Sequence, residues 1–166
     1  MRLVALTALV TLLLDQISKW AVVQGLDLIN RGVIEVWHPF LTFRMAWNPG
    51  INFGLFAGQT DLMRWVLISV ALIISAWVWW WIAREKPGRL GRFSAGLLIG
   101  GAIGNVIDRI IYGAVADFLN MACCGIENPF SFNVADITIF VGAVGLVLFT
   151  GGKPDPKAPK SRNKTS

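Results

Sequence analysis

The sequence predicts an all-α membrane protein with a small β element: four transmembrane helices and a short sheet held outside the bilayer. Three observations carry this. Over 166 residues, 55% are hydrophobic and the mean hydropathy is +0.60, more apolar than a single soluble domain of this length can hide, because small folds leave much of the chain at the surface. Apolar runs of roughly twenty residues recur, each long enough at ~1.5 Å per residue to cross most of ~30 Å of hydrocarbon. Eight tryptophans stand against one tyrosine, and indole rings favour the lipid headgroup region.

The first helix is expected over about 3–23. It follows Arg2 with the run LVALTALVTLLL. A charged start and about a dozen apolar residues also fit a cleaved signal peptide. No small-x-small site follows, however, and the run continues as Asp15-Gln16-Ile17-Ser18-Lys19-Trp20, so a retained membrane helix is the better reading. Asp15 and Lys19 are four apart, on one helical face, where opposite charges pair.

Residues 24–61 turn polar and carry β-like runs. Val33–Trp37 is one candidate strand. Leu41, Phe43, Met45 and Trp47 alternate with Thr42, Arg44 and Ala46, the period of a half-buried strand. His38-Pro39 lies between the runs, and His38, the only histidine, reads as a turn residue. Asn48-Pro49-Gly50 begins a further turn, and three glycines within Asn48–Gly58 predict a movable cover. Thr60 and Asp61 are suited to cap the second helix, 62–83. Trp77, Trp79, Trp80 and Trp81 crowd its far end before Arg84.

Lys86-Pro87-Gly88 is a turn, and the third helix is expected over about 90–116. Gly96, Gly100 and Gly104 put small residues on one face, which lets helices approach closely. Asn105, Asp108 and Arg109 lie at i, i+3 and i+4 in this otherwise apolar run. A mid-membrane charge costs ~2.5–3.5 kcal/mol on insertion scales, so these residues are either a structural polar network or direct contacts to substrate; both readings stand at this point. The fourth helix, 134–150, opens with Asn133 and Asp136 at i, i+3, where helix N–H groups favour a carboxylate. Residues 1–152 thus form one membrane domain, and the Pro- and Lys-rich tail, 153–166, is expected to be disordered.

Between the last two helices lies Val115–Asp136, nearly uncharged, with Asp117 near one end and Asp136 at the other. Its Cys123 and Cys124, the only cysteines, are adjacent, a poor spacing for a structural disulfide or a metal. They read as small, half-buried loop residues.

Of fifteen Lys and Arg, nine fall in two clusters: Arg84, Lys86, Arg89 and Arg92, then Lys153, Lys157, Lys160, Arg162 and Lys164. Both abut apolar segments. The positive-inside tendency puts the 84–92 loop and both termini in the cytoplasm, with the 24–61 and 117–133 loops outside. The net charge of +5 therefore points to anionic lipid headgroups, not to nucleic acid. Asp117 and Asp136 share the extracytoplasmic edge.

Two acids brought within a few ångströms cannot both ionise comfortably and share a proton. The ionised member can take a proton from water attacking a carbonyl, and the protonated one can polarise that carbonyl and supply the leaving amine. Such a dyad needs no metal, cofactor or side-chain nucleophile. An ion-coupled transporter using Asp108, Asp117 and Asp136 is the second reading, weakened by the lack of a visible inverted repeat. A metal enzyme is the third, weakened by the single histidine and the absence of a DxxD cluster.

Five motifs run in a telling order: Asp15-Gln16-Ile17-Ser18-Lys19, Asn48-Pro49-Gly50-Ile51-Asn52-Phe53, the glycine-rich Gly100–Arg109 run, Val115-Ala116-Asp117-Phe118 and Phe132-Asn133-Val134-Ala135-Asp136. Together they resemble lipoprotein signal peptidase (signal peptidase II), over the chain up to about Thr150. That resemblance implies an aspartyl endopeptidase of the bacterial inner membrane, with four helices and an extracytoplasmic β-cradle. It would cut prolipoproteins just before the diacylglyceryl-modified cysteine and be blocked by globomycin. By motif position, it implies Asp117 and Asp136 as the catalytic pair. Asn48, Gly50, Asn105, Arg109 and Asn133 would line the substrate pocket, and Asp15, Lys19 and Asp108 would form a supporting polar network.

Overall fold

The computed structural model describes residues 1–50, 60–123 and 128–150. The expectations for a cover over 51–58, for Cys124 and for the 153–166 tail lie outside the described residues.

Helix α1 (Arg2–Lys19) continues through a π-helical turn, Trp20–Gly25. Its buried residues are Val4, Thr7, Thr11, Asp15 and Lys19, spaced by three and four and so on one face. Leu6, Leu9, Leu13 and Leu14 point outward. A polar stripe turned inward and leucines turned outward is what a lipid solvent selects. A single turn, α2 (Leu28–Arg31), follows, and its Leu28 is fully buried.

Three antiparallel strands then form a sheet in the order β1 (Val33–Trp37), β2 (Leu41–Asn48), β3 (Val115–Met121). The two runs expected as strands are both present, joined through His38-Pro39. The third strand was not expected. The long segment thought to stay helical to Ala116 stops at Tyr112, because Gly113 adopts a left-handed conformation (φ 80°) and caps the helix, a shape that favours glycine. The chain leaves this cap extended, and Val115, Ala116 and Asp117 pair with Asn48, Trp47 and Ala46 of β2. Asp117 therefore sits in a strand, not at a helix end. On the other edge of β3, Phe132 and Leu119 exchange N–H···O bonds of 2.9 and 2.8 Å. Phe118, Leu28, Val22, Val23 and Ala116 pack as a core that seats the sheet on the end of α1.

Helix α4 (Arg89–Tyr112) is the central element; α1, α3 (Thr60–Glu85) and α5 (Val134–Thr150) all pack along it. Glycines permit the close approaches: a Cβ on Gly100 would lie 2.5 Å from the Ala8 carbonyl oxygen, and one on Gly142 2.6 Å from the Leu98 nitrogen. Trp77 and Trp81 stack near the end of α3, with ring centroids 5.9 Å apart. Among the described residues, three helical stretches are long and apolar enough to cross a membrane, Arg2–Gly25, Asp61–Glu85 and Arg89–Tyr112, and α5 is a shorter apolar helix of 17 residues.

Candidate active site

Asp117 and Asp136 meet where β3, α4 and the first turn of α5 converge, and one side chain joins them. The Asn133 amide nitrogen donates to Asp117 Oδ1 at 2.6 Å, while its Oδ1 accepts the Asp136 N–H at 2.9 Å. Asp136 Oδ2 in turn accepts the Asn133 N–H at 3.2 Å. This reciprocal pair is a capping box: the residue before the helix and the acid three further on satisfy each other's backbone donors. The Asn133 side chain is fully buried, so its amide is fixed between the two acids.

Each carboxyl has a second amide donor. Asn48 Nδ2 lies 3.1 Å from Asp117 Oδ2, and Asn48 Oδ1 takes the Gly50 N–H at 3.0 Å, which fixes the amide's direction. Gly50 itself has a φ of 117°, a conformation open to glycine. Asn105 Nδ2 lies 2.9 Å from Asp136 Oδ1. Asp117 is only 3% exposed. Burial pushes its carboxyl up to about 6 and the neighbouring Asp136 pushes the same way, against the Asn48 and Asn133 amides and the Lys19 ammonium. Asp136 stands at a helix N-terminus, where free N–H groups stabilise negative charge.

Below the pair lies a second cluster. Lys19 Nζ is 2.8 Å from Asp15 Oδ2, 2.8 Å from Asp108 Oδ2 and 3.2 Å from Asn105 Oδ1. The two readings of Asn105, Asp108 and Arg109 thus divide among the residues. Asp108 turns to Lys19, and Asn105 bridges that cluster to Asp136. Arg109 lies within electrostatic reach of Asp136, Asp117 and Asp108, with its Nη1 3.2 Å from the Asn105 carbonyl. Its buried Nε has no hydrogen-bond partner among the described residues.

Sequence reasoning missed Gln16, whose amide nitrogen reaches Asp15 Oδ2 at 3.1 Å and Asp108 Oδ1 at 3.0 Å. Its place beside Asp15 gave no hint, since neighbouring helical residues diverge. Cys123 is disulfide-bonded, which corrects its reading as a small loop residue with a spacing poor for a structural disulfide.

The chain matches the family model for signal peptidase (SPase) II over residues 7–150. It belongs to the signal peptidase II family. The lipoprotein signal peptidase of Methylorubrum extorquens is 42% identical over 163 residues, covering 96% of this chain and 90% of that protein. That of Rhodopseudomonas palustris strain CGA009 is 40% identical over 162 residues, covering 95% and 98%. A solved bacterial membrane enzyme shares the fold, with a TM-score of 0.74 at 24% identity over 87% of this chain and 90% of that one. As a signal peptidase II, the chain is a multi-pass membrane peptidase that acts on the signal peptides of lipoproteins, which sets the transporter reading aside.

Proposed function

We propose that Asp117 and Asp136 form the catalytic dyad of an aspartyl endopeptidase that cleaves prolipoproteins before the diacylglyceryl-modified cysteine. The observation that carries this is that one residue, Asn133, holds both carboxyls: its side-chain amide donates to Asp117 and its backbone N–H to Asp136. Asp117 keeps the shared proton, since burial favours its neutral form. Asp136, at the helix N-terminus, is the ionised member. It takes a proton from water as the water oxygen attacks the scissile carbonyl. Asp117 donates its hydrogen bond to the carbonyl oxygen, which becomes a hydroxyl of the tetrahedral diol. The C–N bond then breaks as the cysteine nitrogen receives a proton from the dyad, releasing a new carboxyl terminus and a free amine. Arg109, Asn48, Gly50 and Asn105 shape the rest of the pocket.

The same reading includes α5 as a fourth crossing, at ~26 Å for its length. Both termini then lie in the cytoplasm, and the dyad faces the periplasmic side of the inner membrane. Residues 1–152 make up the peptidase domain, and the basic 153–166 tail meets anionic lipid.

Purified protein with a diacylglyceryl-modified prolipoprotein, in chelator, tests this. Asp117→Asn and Asp136→Asn are each expected to lower turnover about a thousandfold or more, while the protein still accumulates. Globomycin should block the unaltered enzyme. Wild-type turnover in either variant overturns the dyad.

A further inference from the structure

Two V-A-D triplets flank the site: Val115-Ala116-Asp117 and Val134-Ala135-Asp136. In each, the alanine just before the acid gives its backbone N–H to a carboxylate of the lower cluster. Ala116 N donates to Asp108 Oδ2 at 3.1 Å, and Ala135 N donates to Asp15 Oδ1 at 2.9 Å. Both alanines are buried. One ammonium, Lys19, binds both of those carboxylates at 2.8 Å. Its third contact, at 3.2 Å, is Asn105 Oδ1, which leaves the Asn105 amide nitrogen to face Asp136.

We propose that Lys19 is a positioning residue for the dyad: through Asp15 and Asp108 it ties together the two backbone segments that carry Asp136 and Asp117, and so sets how the two carboxyls face each other. This rests on the dyad reading above. The ammonium has three donors, and the cluster uses all three. Each contact leads to one part of the site: β3 through Asp108, α5 through Asp15, and the Asp136 side chain through Asn105. A clamp on the preceding residue fixes where the acid's Cα sits, and small misplacements of reacting groups are costly in rate.

The cluster also sets the field at the dyad. The charged groups that act on Asp117 are Asp136 on α5, Arg109 on α4 and Lys19 on α1; Asp15 and Asp108 bear on it through Lys19, which they both bind. Removing the Lys19 charge makes Asp117 harder to ionise, and removing the Asp15 charge makes it easier. A residue that only held the fold together would move both variants alike, or leave the pH profile unchanged.

The test is the pH dependence of turnover for Lys19→Met and Asp15→Asn, alongside Asp117→Asn, on the diacylglyceryl-modified prolipoprotein in detergent. Lys19→Met is expected to lose about a hundredfold in kcat with KM within about twofold, and its alkaline limb should move up by about one pH unit. Asp15→Asn keeps an oxygen for the Ala135 N–H; its limb should move down, by roughly half a unit. If Lys19→Met does not fold, the Asp15→Asn shift decides alone. Limbs that stay in place, or move in the same direction, overturn the clamp. Turnover retained in Asp117→Asn overturns the dyad instead, so the two failures are distinct.

Discussion

Two pairs of carboxyls stand close together in this molecule, with Asp15, Asp108 and Asp117 buried and Asp136 half-buried, and the pairs differ in what separates their members. Between Asp15 and Asp108 sits an ammonium, 2.8 Å from each. Between Asp117 and Asp136 sits the neutral amide group of Asn133, with its nitrogen on one acid and its oxygen on the backbone N–H of the other. The ammonium gives each of its acids a direct charge partner away from water. An amide positions its acids but neutralises neither, so the second pair relieves its repulsion by keeping a proton. The lower pair is suited to hold the fold, and the upper pair has a proton to give. All four acids look alike in sequence, and the group between them sets their work apart.

The balanced pair breaks most readily at Gly104. A Cβ there would lie 2.5 Å from Asp15 Oδ2 and 3.2 Å from its Cγ, and Asp15 cannot swing aside without giving up Lys19, Gln16 and Ala135. Gly104→Ala is expected to destabilise by about 3 kcal/mol, near the upper end for overpacking. Thermal unfolding in detergent reads this. A midpoint within a degree of wild type would mean that the cluster is softer than its contacts suggest.

The unbalanced pair is probed at Asn133, and here two effects separate. Asn133→Ala removes both the donor to Asp117 and the cap on Asp136, with an expected cost of about 1 kcal/mol in stability from the lost cap and roughly tenfold in kcat. Asn133→Ser restores an oxygen able to cap α5 but cannot reach across to Asp117. Stability should therefore return in the serine variant while turnover does not. Recovery of both in parallel would show that Asn133 matters as a helix cap alone.

Much of this was legible in the chain, and the limits have physical causes. Helix positions follow from apolar length, and the β1–β2 hairpin from alternation around His38-Pro39. The Asp15–Lys19 pair follows from helical spacing. The strand carrying Asp117 was not legible, because Val115 and Ala116 read as the end of the apolar helix and 117–133 as a loop, and only the conformation of Gly113 ends that helix early. Asp108 and Arg109, adjacent in sequence, turn to different partners. The Lys19 and Gln16 partners of Asp108 come from α1, far away in sequence, which no local pattern reports. The repeated V-A-D triplet was visible throughout; its meaning needed the two alanine N–H groups and the carboxylates that hold them.

The finest probe of the comparison is the proton itself. Asp117 has its carboxyl raised from 3.8 to about 6, chiefly by burial. A raised carboxyl stays neutral below that value and loses its proton above it, so rising pH strips the dyad of the proton its mechanism needs. In the free enzyme, reported by kcat/KM, the alkaline limb is expected near pH 6. Substrate over the site excludes more water, which disfavours the charged form further. The kcat limb should therefore lie above the kcat/KM limb, by about half a unit. A kcat limb below that of kcat/KM would place the working proton elsewhere than on a carboxyl buried by its substrate, and the contrast between the two pairs would lose its basis.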